Sequence, residues 1–134
     1  MSKFITGLDM HFMYDPDGMP LKNRMGRQLY QLDSPLIYQS DVAGVVITAP
    51  AGFVSDLASI PRLPLIYLLL NAIADVPGVI HDFIYSSGCL PRDMADKVLR
   101  EACLLTGVPA WKANLIYAGV RVGGASHYDK GYTS

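Results

Sequence analysis

The chain has 134 residues, 51% of them hydrophobic and 17% charged, with a formal net charge of −1. That length predicts one domain with a core large enough to need no staples. A near-neutral balance without a long basic run argues against nucleic-acid binding, which requires clustered Lys and Arg facing phosphates. The apolar share is high for a free-standing domain and fits a buried interface with a partner or an oligomer. No signal-peptide core is present in Met1 to Gly7. The most hydrophobic run, Leu63 to Ala74, has 12 residues and contains Pro64, whereas a spanning helix needs about 20; no transmembrane segment is expected. Two cysteines, Cys89 and Cys103, form neither a zinc ribbon nor a disulfide framework. Cys103 reads as a small buried apolar residue, and a Cys89–Cys103 bridge is not expected in a reducing cytosol.

Near the N-terminus, Leu8, Met10, Phe12 and Tyr14 alternate as in a strand with one buried face. Asp15-Pro-Asp-Gly18 signals a turn, and residues 19–26 read as loop. Arg27 to Leu32 form a second strand, broken at Pro35 and resumed over Leu36 to Gln39. Ser40 to Gly44 turn the chain into the β-branched strand Val45 to Thr48. From Ser59 the pattern becomes helical. Leu65 to Ala74 suggest a short buried helix. Asp75 and Pro77 start the next one, which runs to Tyr85 or Ser86 before Gly88. After Pro91, Ala95, Val98, Leu99, Ala102 and Leu105 make an apolar helical stripe that ends at Gly107. Pro109 opens a further helix with Trp111, Leu115, Ala118 and Val122 on one face. The fold class is therefore α+β: a small N-terminal antiparallel β-unit followed by three to four helices. The organisation is a single domain over 1–134, β-rich over 1–50 and helical over 59–123, with a mobile tail at 124–134.

Chemistry concentrates between Gly52 and Glu101. His81 and Tyr85 lie at i,i+4 and share a helix face, while Asp82 points about 100° away. A buried His backed by a carboxylate is a general base with a fixed tautomer. If the helices bearing them are antiparallel, Asp96 faces His81 and Tyr85 and supplies that carboxylate. Asp82 and Asp56 are oxygen donors suited to a cation. The competing reading makes His81 a hydrogen-bonded core residue with Asp82 exposed, Asp56 part of a turn, and the Arg92–Asp96–Arg100 and Asp93–Lys97 spacings a solvated ladder. Ser55, Ser59 and Cys89 lack the flanks of a nucleophile. His11 and His127 stand apart.

Four segments carry a resemblance to a known family: Gly52-Phe-Val-Ser-Asp-Leu-Ala-Ser-Ile-Pro-Arg62, Val79-Ile-His-Asp-Phe-Ile-Tyr85, Arg92 with Ala95-Asp96, and Tyr117-Ala-Gly-Val-Arg-Val-Gly123. Together they resemble the phage and prophage family of domain of unknown function 1353, over about residues 27–124. The resemblance implies a tailed-phage protein, a structural or assembly component of the tail or tail tip. Its partners would be other phage structural proteins, and its location the host cytoplasm and the virion. Locally, His81-Asp82-Phe-Ile-Tyr85 is similar to the His-Asp-x-x-Tyr helix of phospholipases A2. That similarity implies an alternative: a metal-assisted hydrolase of an ester or amide in the host envelope. In it His81 activates water, Asp82 holds calcium, Asp96 orients His81 and Tyr85 steadies Asp96. The glycine-rich calcium loop and the disulfides of those enzymes are absent from this sequence, so the loop Gly52 to Arg62, with Asp56, would have to replace the former.

Overall fold

In a computed structural model of the chain, the described residues are 1–22, 26, 28–55 and 75–123. They form an α+β structure: six short strands followed by three helices. The strands are β1 (Lys3–Phe4), β2 (Met10–Phe12), β3 (Tyr30–Leu32), β4 (Leu36–Ser40), β5 (Val45–Ala49) and β6 (Val54–Ser55), and the helices are α1 (Asp75–Ser87), α2 (Arg92–Leu105) and α3 (Ala110–Gly123). The expected helix at Leu65 to Ala74, the residues Asp56, Ser59, Arg62 and His127, and the 124–134 tail lie outside the described residues.

The strands make two three-stranded antiparallel sheets, ordered β1-β4-β5 and β2-β3-β6. In the first, β4 and β5 pair with Leu36 opposite Ala49 and Tyr38 opposite Ile47. All four are buried, so the inward face follows the period of two that a half-buried strand requires. The turn between them closes through Gly44 N–H to the Ser40 carbonyl at 3.0 Å. In the second sheet the expected alternation fails in part. Phe12 and Tyr14 are 50% and 55% exposed, because the ladder with β3 stops at Phe12 and leaves Tyr14 with only an isolated bridge to Pro20. Phe12 covers the Tyr30 ring, 4.8 Å between centroids, instead of entering the core. The Asp15–Gly18 turn forms as expected, with Asp15 Oδ1 accepting from the Asp17 and Met19 amides, each at 2.9 Å. Strand β6 places Ser55 in a sheet, where the sequence suggested loop.

Helix α1 packs on β5, β6 and α2, and α2 packs on α3. Gly88 ends α1 at φ 65° and donates to the Ile84 carbonyl at 2.8 Å, a left-handed cap that a Cβ would strain. Ala95, Val98, Leu99 and Ala102 are buried as the helical stripe predicts, but Leu105 is 44% exposed and Cys103 takes the fifth buried place. Leu105 is the last residue of α2 and lines an open groove with Leu104 and Tyr117. Both thiols are free, and burial pushes the Cys103 thiol up to about 12. On α3 the buried side chains are Ala113, Ile116 and Val120, whereas Trp111, Leu115 and Val122 face outward. Among the described residues no helix is long and apolar enough to cross a membrane.

One carboxylate fastens the helices to the first sheet. Glu101 on α2 accepts from Tyr38 Oη at 2.7 Å and Ser40 Oγ at 2.8 Å through Oε1, and from the Val42 amide at 2.8 Å through Oε2. Burial, then the bond to this carboxylate, holds the Tyr38 phenol far above its ordinary range. Truncation at Glu101 leaves a buried hydroxyl without an acceptor. Glu101→Ala should therefore cost about 3 kcal/mol, and Glu101→Gln about half of that, in urea unfolding; equal stability of all three proteins would show that the link is idle.

Candidate functional site

The site is built on the α1–α2 pair and closed by α3. His81 and Tyr85 are one turn apart on α1, so both rings reach the same side of the helix. Their ring centroids are 4.2 Å apart. Asp96 projects from the second turn of α2 between buried Ala95 and exposed Lys97. The close packing of α1 against α2 brings these groups together. His81 Nε2 lies 2.8 Å from Asp96 Oδ1, and Tyr85 Oη donates to the same oxygen at 2.5 Å. From α3, Arg121 Nη1 donates to Asp96 Oδ2 at 2.8 Å. His81, Tyr85 and Asp96 are 1%, 1% and 0% exposed, and Arg121 is 34% exposed at its side chain.

An ionised carboxylate only accepts hydrogen bonds. The short His81–Asp96 contact therefore puts a proton on Nε2 and leaves Nδ1 as the nitrogen able to take another. Burial alone would raise the Asp96 pKa. The hydrogen bonds from His81, Tyr85 and Arg121 outweigh it and hold the carboxyl below its ordinary value. Burial and the Asp96 bond push the Tyr85 phenol well above its ordinary range, so Tyr85 stays a donor. The Asp96 bond also raises the Arg121 pKa. The result is a buried anion with three donors, two of them on one oxygen.

The sequence foresaw His81, Tyr85 and Asp96 as neighbours but not Arg121. Its only signal was a single arginine near the end of α3, inside the segment Tyr117 to Gly123. The solvated ladder of the competing reading does not form around Asp96. Arg92 turns to the C-terminal carbonyls of α3, Val120 O at 3.0 Å and Arg121 O at 2.6 Å, where the helix dipole is negative. Arg100 Nε donates to Asn114 Oδ1 at 2.7 Å. Among the described residues no ion pair joins Asp93 to Lys97. Arg92 thus anchors the backbone of the residue whose side chain grips Asp96. His11 does not stand apart either: its Nδ1 is 2.6 Å from Asp33 Oδ1, on an exposed surface.

Asp82 is buried at 8% exposure, not solvated, and it too is engaged. Asp56, the other expected cation ligand, lies outside the described residues. Among the described residues no three His, Cys, Asp or Glu side chains converge to hold a metal ion. The calcium site that the resemblance implies is thus not assembled from them.

Fold and site together define an α+β protein whose three helices close on a buried His–Asp–Tyr–Arg network. Residues 30–120 match the family described as protein of unknown function (DUF1353), and the chain belongs to that family. No curated protein and no solved structure matches it.

The Asp96 network makes a signed prediction. Because the folded pKa of Asp96 is depressed, its stabilisation is fully present above the ordinary carboxylate value of 3.8 and is lost as pH falls through the lower folded value. Asp96→Asn should lower stability at pH 7 by about 3 kcal/mol, and the deficit should shrink below pH 3.8. Urea unfolding of both proteins at several pH values measures this; a deficit that does not change with pH would contradict an ionised Asp96.

Proposed function

We propose that this protein is a hydrolase of ester or amide bonds in which His81 activates the attacking water. The observation that carries this reading is the 2.8 Å contact between His81 Nε2 and Asp96, with Tyr85 on the same oxygen. Asp96 fixes the tautomer and the ring plane, and Tyr85 and Arg121 fix Asp96. His81 Nδ1 would take the proton of a water as its oxygen bonds to the substrate's carbonyl carbon, then pass that proton to the departing alcohol or amine. The order of support, with a carboxylate behind the base and a phenol steadying the carboxylate, is the one that the likeness to the His-Asp-x-x-Tyr helix implies. Under that likeness Asp82 and Asp56 would be the cation ligands, calcium the cation, and a host-envelope ester the substrate. At 1% exposure His81 must be uncovered for substrate to reach it, so an opening step belongs to the mechanism.

Purified protein should hydrolyse members of an ester and amide panel, with and without added calcium. His81→Gln should reduce turnover by about 10³-fold, and Tyr85→Phe should lower kcat by roughly 10-fold while leaving most of the stability. Full activity in His81→Gln, or no turnover on any substrate by a folded native protein, would sink the reading.

A second reading has support of its own: a structural or assembly component of a phage tail or tail tip. The β-unit leaves Phe12, Tyr14, Val45 and Val46 exposed at 50%, 55%, 43% and 55%, side chains that docking to neighbouring proteins would cover. Several copies in purified particles by mass spectrometry would support it, and absence from them would count against it.

A further inference from the structure

Helix α3 is apolar on two opposite sides. Ala113, Ile116 and Val120 are packed inside. The other side carries Trp111, Leu115, Ala118 and Val122, with Trp111, Leu115 and Val122 exposed at 55%, 41% and 82%. Their spacing of four, three and four residues places them in one ridge roughly 16 Å long. Core packing gives no reason for a tryptophan and two branched residues on the outer side of a helix that already has a buried face.

Among the described residues, a cation flanks the ridge on each side. Helix α3, Ala110–Gly123, contains no carboxylate. On one flank Lys112 holds its Nζ 5.5 Å from the centre of the Trp111 ring. On the other, Asn114 accepts from Arg100 and keeps that cation at the ridge edge. Beyond Arg100 runs an open groove of about 780 Å³, lined among others by Lys97, Leu104, Leu105 and Tyr117. The two carboxylates of that groove are occupied: Glu101 by Tyr38, Ser40 and the Val42 amide, and Asp41 by the N-terminal ammonium at 3.1 Å. Asp93 sits on the first turn of α2, the end that meets the close of α3.

We propose that this ridge docks the protein on an anionic lipid surface. Trp111, Leu115 and Val122 enter the boundary between headgroups and acyl chains, and Lys112 and Arg100 reach back to lipid phosphates. A convex ridge needs no matching groove in a bilayer, and the Trp-plus-Lys end has the composition of a membrane interface.

Trp111 is the single tryptophan of the chain and reports directly. The full-length protein is mixed with phosphatidylcholine vesicles, with and without phosphatidylglycerol. A blue-shifted Trp111 emission and co-sedimentation are expected with the anionic vesicles, both diminished by added salt. The double substitution Leu115→Gln, Val122→Gln should weaken binding by at least about 10-fold and leave the melting temperature unchanged, since both side chains are exposed. Three results would overturn the proposal. One is unchanged emission and no co-sedimentation with anionic vesicles. Another is a vesicle-free blue shift that grows with protein concentration alongside dimers in sedimentation analysis, which would assign the ridge to a second copy. The third is capture by an acidic polypeptide but not by vesicles, which would assign it to a protein partner.

Discussion

A carboxylate with no exposure to water must find its donors inside the protein, and Asp96 is that group. An unpaired charge at that depth would cost several kcal/mol, so the surrounding helices have to deliver hydrogen-bond donors at short range. Two come from α1, His81 and Tyr85, and one from α3, Arg121. The requirement constrains the rotation of α1 and the position of α3's last turn. Arg92 reinforces the latter by binding the Val120 and Arg121 carbonyls. The polar network and the apolar packing thus specify the same arrangement: Val98 and Ala102 of α2 sit in a core shared with α1 and the strands, while Leu99 and Cys103 pack with α3.

Helix α2 holds the structure together through two acids on different sides. Asp96 and Glu101 are five residues apart, about 140° around the helix. The first faces α1 and α3, and the second faces β4 and the turn after it. Each acid gathers three donors from other parts of the chain. Only the first gathers a histidine, and that difference separates a brace from a candidate base. Glu101 fastens hydroxyls and an amide, none of which takes up a proton near neutrality, whereas Asp96 orients an imidazole and leaves its second nitrogen available.

Much of this was legible in the sequence for a simple reason. Helical spacing is local, so His81 and Tyr85 on one face, the stripe from Ala95 to Ala102, and stops at Gly88 and Gly107 follow from periodicity and cap chemistry. The meeting of Asp96 with His81 needed one further assumption, that α1 and α2 pack with those faces together. Partners that depend on distant segments were not legible. Arg121 is 25 residues from Asp96 and Glu101 is 61 from Ser40, and no local pattern announces either bond. The competing reading, a ladder of Arg92 and Arg100 around Asp96, failed because both arginines found acceptors on α3, a helix that local spacing does not contain.

The sequence by itself determined the α+β order, the limits of the three described helices to within a residue or two, the family, and the residue types of the site. Those are properties of neighbours along the chain. Only the tertiary structure decided which apolar face of α3 is core and which is surface. Trp111, Leu115, Ala118 and Val122 satisfy helical spacing as well as Ala113, Ile116 and Val120 do. The choice fell to Ala113, Ile116 and Val120, which pack with Leu99 and Cys103 of α2. It also decided that Asp96 carries its charge under three donors, since burial and partners belong to the packed molecule and not to any stretch of sequence.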